Sequence, residues 1–188
     1  MDIILNTRFN NPNLPVTPLP GFYDDFTSGS PIKLDHTSRE ERPYIFNGEA
    51  WPIVDGYVTP GGRAAAVDGY SNDGVLSTRY VVLGSATRVG LVARYTGESY
   101  LWIAPNTSGN LAIYETISGS NNLIMNSTTK VLDGDTLQVF LQGPLVQARL
   151  NGGLVDQAQT TLTTGTTHGF FSWSATSEAR FEYLSFEV

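Results

Sequence analysis

Apolar and polar residues alternate most clearly in residues 87–116, where two polar breaks separate three apolar runs. The breaks, at residues 96–99 and 105–109, consist of residue types that favour turns. Each run has a period of two, which predicts a β-strand with one buried face. This stretch therefore predicts three consecutive antiparallel strands.

The two sides of these strands differ in chemistry. Aliphatic side chains share one side (Leu101, Ile103, Leu111, Ile113), and aromatic side chains share the other (Tyr100, Trp102, Tyr114). The aliphatic side is expected to face a core. The aromatic side is expected either to bind a ligand or to be covered by another part of the chain, such as residues 28–50.

The same pattern predicts strands elsewhere, over residues 22–26, 55–59, 64–68, 74–83, 121–126, 135–142, 146–150, 168–174 and 178–188. Gly-Gly, Asp-Gly, Gly-Pro and Asn-Gly-Gly turn signals separate many of them. Residues 28–49 read as a long polar loop, and no window sustains helical periodicity. Many short strands separated by turns predict an all-β, two-sheet antiparallel sandwich.

The first twenty residues differ from the rest. Pro12, Pro15, Pro18 and Pro20 prevent a helix and disfavour central strand pairing. We expect residues 1–20 to be an extended arm, either disordered or attached to a neighbouring protein, and residues 21–188 to be the sandwich domain.

The amino-acid composition excludes some kinds of site and argues against some kinds of partner. The chain has 188 residues, no cysteine and a net charge of −7. Disulfides and thiolate metal sites are excluded, and the charge argues against nucleic acid and anionic membranes as partners. The N-terminus lacks the basic and apolar regions of a secretory signal. We expect a protein folded in a reducing cytosol.

Five segments together resemble the concanavalin A-like (laminin-G-like) jelly roll. They are DDF at 24–26, GLVARYTGESYLWI at 90–103, GNLAIYE at 109–115, DGDTLQVFLQGPLVQARLNGGLV at 133–155 and ARFEYLSFEV at 179–188. The resemblance implies that the first and last strands pair. This fold hosts lectins, hydrolases and structural domains. Small copies of it occur in phage minor tail and decoration proteins, which implies a location on the virion surface after assembly in the host cytoplasm.

Catalytic chemistry finds little support in the sequence. Hydrolases of the resembled fold carry a Glu-x-Asp-x-x-Glu cluster on one strand, and Glu98, Glu115, Glu178 and Glu182 are scattered instead. His36 and His168 are interpreted as turn or surface residues, and no Gly-x-Ser-x-Gly motif is present. We therefore expect no catalytic residues and no enzyme, with a pair of carboxylates from distant strands as the alternative.

No cofactor is expected, with calcium as an open alternative because it needs only oxygen ligands. The candidate acidic residues are Asp24, Asp25, Asp68, Asp73, Asp133 and Asp135. The same residues are typical of turns, and that interpretation is preferred.

The aromatic side is the leading candidate site. Aromatic rings can stack on the apolar face of a sugar, while amide and guanidinium groups bind its hydroxyls. The predicted glycan-binding residues are Arg94, Tyr100, Trp102, Tyr114, Gln138, Gln147 and Arg149. In the alternative, this face is covered and Arg94 is buried against a carboxylate. Trp51 and Trp173 are predicted to lie in the core.

The leading hypothesis is a non-enzymatic virion-surface protein of a phage tail or capsid whose concave sheet binds cell-surface glycans. Its arm would bind other phage structural proteins, and it is a candidate homo-oligomer. One alternative is a purely structural decoration protein anchored by the arm. The other is a glycan-cleaving enzyme of the same fold.

Overall fold

A computed structural model describes residues 21–26, 42–83, 88–173 and 178–188. These residues form two antiparallel sheets and no helix. The described part of the chain therefore contains no helix long and apolar enough to span a membrane. The predicted arm (residues 1–20) and His36 lie outside the described residues.

The strands are β1 (Phe22–Asp24), β2 (Ile45–Asn47), β3 (Ile53–Val54), β4 (Tyr57–Val58), β5 (Ala64–Asp68), β6 (Gly74–Val82), β7 (Val89–Ala93), β8 (Tyr100–Pro105), β9 (Asn110–Ile117), β10 (Ser120–Lys130), β11 (Thr136–Gln142), β12 (Leu145–Leu150), β13 (Gly153–Gln159), β14 (Thr167–Ser172) and β15 (Arg180–Glu187). The front sheet has the order β10-β9-β8-β7-β14-β5-β2. The back sheet has the order β13-β12-β11-β6-β15-β4-β3, and β1 also pairs with β15. This is the jelly-roll sandwich that the sequence predicts.

The terminal strands pair as predicted. Phe22 lies opposite Phe186, and Asp24 lies opposite Leu184. β15 also pairs with β6 on its other side, so the last strand is central to the back sheet. Both ends of the domain are therefore tied into the same sheet.

Buried aromatic and aliphatic side chains fill the space between the sheets. Phe170 from the front sheet contacts Phe181 from the back sheet at a ring-centroid distance of 4.5 Å. Trp51 stacks on Phe170, and the Tyr80 ring lies 5.1 Å from Phe181. The Tyr80 hydroxyl donates to the Val89 carbonyl, so this buried phenol is satisfied. The prediction that Trp51 lies in the core is confirmed.

Three strands were not predicted: β2, β3 and β13. β13 lies at the edge of the back sheet, and most of its side chains are exposed. An edge strand without a buried face lacks the apolar alternation from which strands are predicted. β2 and β3 are only three and two residues long, too short for a period to be seen.

Candidate functional site

The outer face of the front sheet carries the aromatic residues that the alternation singled out. Tyr100 and Trp102 point outward from β8, whereas Leu101 and Ile103 belong to the core between the sheets. Trp102 lies opposite Tyr114 in the register of β8 and β9. Their rings stack at a centroid distance of 4.5 Å and an interplanar angle of 22°. The predicted sidedness of these strands is therefore correct.

Other aromatic residues extend this surface into a continuous cluster. We define the aromatic cluster as Tyr95, Tyr100, Trp102, Tyr114, Phe171 and Trp173. Phe171 and Trp173 come from the end of β14, and their rings lie 5.0 Å and 5.8 Å from that of Trp102. Ala64 and Ala66 of β5 lie under the same surface. Small residues on that strand leave room for the rings of neighbouring strands.

Exposure is uneven within the aromatic cluster. Trp102 is only 3% exposed because Tyr114, Phe171 and Trp173 surround it, whereas Trp173 is 40% exposed. Tyr100 is also buried, and Tyr114 is half-buried. Tyr100 and Trp102 are therefore buried, as the alternative expects, but the cover shown is the rings of the aromatic cluster. Residues 27–41, most of the loop named as a possible cover, lie outside the described residues. The ring that a ligand can reach is that of Trp173, so the prediction that Trp173 lies in the core is wrong.

The sequence does contain a weak signal for Trp173. Trp173 lies two residues after Phe171, so its side chain is expected on the same side of the strand as that of Phe171. Phe170 and Phe171 are adjacent, however, and their side chains point to opposite sides. A run with aromatic residues at both parities does not say which side is buried.

An open groove of about 350 Å³ crosses one part of the aromatic cluster. Tyr100, Phe171 and Trp173 supply its apolar lining. Its polar lining comes from loops and strand ends: Asn47, Arg63, Glu98, Ser118 and Asn121. The volume is within the range of small-molecule sites, and a few polar groups around an apolar surface are their usual composition.

Two arginines flank the exposed indole. Arg63 precedes β5 and Arg88 precedes β7, and β14 lies between these strands in the front sheet. The backbone N–H of Ser172 donates to the Arg63 carbonyl, and that of Trp173 donates to the Arg88 carbonyl. The Arg63 and Arg88 guanidinium carbons lie 5.2 Å and 5.6 Å from the Trp173 ring centroid, within cation–π range.

Arg94 does not belong to this site. β7 ends at Ala93, and Arg94 has a left-handed backbone (φ 53°), so the alternation stops before it. Its buried guanidinium donates to the Asp73 carboxylate (2.8 Å) and to the Asn72 carbonyl (2.9 Å). It also donates to the Leu162 carbonyl. Burial lowers the pKa of Arg94, and Asp73 opposes that shift. Its predicted place on the aromatic side is wrong, and the alternative of burial against a carboxylate is correct.

Gln138, Gln147 and Arg149 are also absent from the aromatic cluster. They lie on β11 and β12 of the back sheet, on its outer face, where Gln138 is opposite Arg149. Gln147 donates to the Gln157 side chain, and Arg149 lies over the Phe140 ring at 4.3 Å. The prediction that they share a face with Tyr100, Trp102 and Tyr114 is wrong because the two faces lie on opposite sides of the sandwich.

His168 is a core residue, and its predicted turn or surface position is wrong. Nε2 donates to the Ser71 carbonyl (2.8 Å), Nδ1 faces the Arg94 backbone N–H (3.4 Å), and the ring stacks on Phe186 at 4.1 Å. Burial lowers the pKa of His168 to about 4. The imidazole is therefore neutral near pH 7 and is not a general acid or base at the groove.

Glu115 is a buried carboxylate at the side of the core. Its Oε1 accepts hydrogen bonds from the Thr160 hydroxyl (2.6 Å) and from the backbone and hydroxyl of Thr161. Burial raises its pKa, but these hydrogen bonds, with one from Leu162, outweigh burial and lower it. Glu115 is thus an ionised anchor for residues 160–162.

The acidic residues considered for calcium act in turns and hydrogen bonds. Asp24 accepts from the Tyr44 hydroxyl and Asp68 from the Tyr70 N–H. Asp133 and Asp135 accept from the backbone N–H groups of Leu83 and Leu132. Within the described residues, no group of three or more His, Asp or Glu side chains is placed to hold a metal ion.

No protein-family model and no curated protein matches the chain. Solved structures match its fold at low identity. The carbohydrate-binding module CBM66 from Bacillus subtilis is 12% identical with a TM-score of 0.56, covering 73% of this chain and 88% of that one. Galectin LEC-6 from Caenorhabditis elegans is 15% identical with a TM-score of 0.52, covering 77% and 96%.

An enzyme is similar in fold to the same degree. A prokaryotic β-1,3-1,4-glucanase (lichenase) from a mouse hindgut metagenome is 11% identical with a TM-score of 0.57, covering 90% of this chain and 99% of that one. The fold is therefore the concanavalin A-like jelly roll of lectins and glucanases. Fold alone does not choose between binding and cleavage.

Proposed function

We propose that this protein is a non-catalytic glycan-binding domain and that its binding site is the groove beside Trp173. The observation that carries the proposal is an exposed indole next to an open groove with amide, guanidinium and carboxylate groups around it. An indole offers a flat apolar surface to the C–H side of a pyranose. The Asn47 amide donates to the Tyr95 hydroxyl and the Asn121 amide accepts from the Thr116 hydroxyl, and each keeps further donor and acceptor capacity for sugar hydroxyls.

The composition of the groove favours binding over hydrolysis. Glycosidases use two carboxyl groups, about 5–5.5 Å apart in retaining enzymes and about 6.5–9.5 Å apart in inverting ones. Among the described residues that line the groove, Glu98 alone has a carboxylate. Glu115, the ionised anchor, makes its hydrogen bonds to residues 160–162, which are not part of the groove lining.

We also propose that the domain is displayed on a phage particle, with residues 1–20 as its attachment. The supports are the sequence resemblance to domains of phage tail and decoration proteins and the proline-rich composition of the arm. Affinity for one shallow groove would be weak, with a Kd nearer 1 mM than 1 μM, about −4 kcal/mol. Many copies on one particle would raise the avidity.

The test is a glycan array probed with the full-length protein displayed multivalently. We expect binding to a defined group of glycans and its loss in Trp173→Ala. Tyr23→Ala is the matched control, because Tyr23 is 39% exposed and lies on β1 of the back sheet. Wild-type silence on a broad array, or equal loss in both variants, would overturn the proposal and favour the structural alternative. Release of reducing sugar from a bound glycan would favour the enzyme.

Attachment is tested separately. A variant lacking residues 1–18 should keep its melting temperature and fail to join the parent particle. Unfolding of that variant would instead make the arm part of the domain.

A further inference from the structure

Charge is distributed asymmetrically over the groove and the adjoining Trp173 ring: Arg63 and Glu98 line the groove, and Arg88 lies against Trp173 outside that lining. Arg63 and Arg88 lie at the end of the front sheet where β5 and β7 begin, and Glu98 lies in the loop that leaves the other end of β7. β7 has five residues, which is roughly 16 Å of strand. One end of the aromatic cluster is therefore cationic, and the opposite end carries a carboxylate.

The two guanidinium groups are available to a ligand. Within the described part of the chain, neither side chain has a hydrogen-bond or ion-pair partner, and their contacts are with the Trp173 ring. By contrast, Arg79 on the back sheet pairs with Glu182, and Arg94 pairs with Asp73. Arg63 is exposed and Arg88 is half-buried. Two unpaired guanidinium groups that lie against one indole are suited to bind an anion at the edge of that ring.

The net charge of the protein bears on which anions the Arg63 and Arg88 guanidinium groups can attract. A net charge of −7 repels polyanions in general. Among the described residues, the guanidinium groups against Trp173 that can attract an anion are those of Arg63 and Arg88. Guanidinium groups bind carboxylates and similar oxyanions through paired N–H donors in a fixed planar geometry.

We infer that the groove and the adjoining Trp173 ring bind acidic saccharides. The carboxylate or sulfate group would be bound by Arg63, which lines the groove, and by Arg88, which lies against Trp173 outside the groove lining, while the sugar packs against the exposed part of the indole. This inference rests on the proposed glycan-binding function and adds the class of ligand. Glu98 at the other end disfavours a second anionic group there. The ligand is therefore expected to bind in one direction, with its acidic unit at the arginine end.

The experiment uses an array of matched pairs: uronate-containing glycans with their carboxyl-reduced forms, and sulfated glycans with their desulfated forms. The full-length wild type is compared with Arg63→Gln, Arg88→Gln and the control Arg79→Gln, which removes the same charge from the back sheet. Where a pair gives binding, we expect the protein to bind its acidic glycan. Losing one charge-assisted contact should weaken this binding by about tenfold or more in Arg63→Gln and Arg88→Gln. Arg79→Gln should bind as the wild type does.

The outcomes separate the two proposals. A preference for uronates or for sulfated glycans supports the inference and identifies the anionic group. Equal binding to acidic and neutral members, or acidic binding that Arg63→Gln and Arg88→Gln leave unchanged, overturns it while the glycan-binding function stands. Absence of binding to every pair overturns both.

Discussion

The indole rings of Trp102 and Trp173 stack at a centroid distance of 5.8 Å and an interplanar angle of 19°. The first is covered by its neighbours, and the second is 40% exposed. Two similar side chains in one stack thus have different physical roles. Trp102 contributes to the packing of the front sheet, and Trp173 presents a surface to solvent.

This difference predicts opposite phenotypes. Trp102→Ala should cost about 3–5 kcal/mol of unfolding free energy, because it opens a cavity among packed rings. Trp173→Ala should cost clearly less than Trp102→Ala, because the Trp173 ring is 40% exposed and its loss uncovers Trp102 without opening an enclosed cavity, and it should abolish glycan binding. Urea unfolding measures both costs. Equal destabilisation by the two substitutions would contradict the assignment of Trp173 as the accessible ring.

Arg94→Gln tests whether Arg94 has a structural role. The substitution removes a buried guanidinium that holds together the loops of Asn72, Asp73 and Leu162. Loss of these charge-assisted hydrogen bonds should lower the unfolding free energy by about 2 kcal/mol or more. Glycan binding by the molecules that remain folded should not change. Loss of binding at unchanged stability would return Arg94 to the candidate site.

His168 predicts an acid-sensitive stability. Its pKa of about 4 in the folded protein lies below the unfolded value of about 6.5, so the unfolded state binds the proton first as pH falls. Its contribution is fully present above pH 6.5 and is lost between pH 6.5 and about 4, up to about 3 kcal/mol. Chemical denaturation across pH 7 to 5 measures this slope while most carboxylates remain ionised.

A variant without the imidazole tests this assignment. His168→Gln should flatten the slope between pH 7 and 5. A slope equal to that of the wild type would show that another group is responsible.

The pairing of β15 with both β1 and β6 predicts that the C-terminus is essential for folding. Removing residues 184–188 deletes half of a central strand and exposes the edges of β1 and β6. The loss should be several kcal/mol of a typical total of about 5–15 kcal/mol. Removing Val188 alone is the control, because that residue lies outside β15 and is 71% exposed. Circular dichroism and the melting temperature compare these two deletion variants. A variant that lacks residues 184–188 and remains stable would contradict the pairing of β15.

The sequence by itself determined the fold class and the two sides of β8 and β9. Strand alternation is local, since Leu101 and Tyr100 must point in opposite directions wherever β8 lies. The aliphatic side of β8 and β9 was correctly predicted to face the core, and the aromatic side to face outward. The paired terminal strands followed from the resemblance to the jelly roll.

Only the tertiary structure decided which strands share a sheet. β10 and β11 follow one another in sequence, but β10 lies in the front sheet and β11 pairs with β6 in the back sheet. Gln138 therefore lies across the sandwich from Trp102, although both point outward. Likewise Trp173, Arg63 and Arg88 meet because β14 lies between β5 and β7. Strand pairing between distant segments depends on the packing of the whole core, and no local periodicity records it.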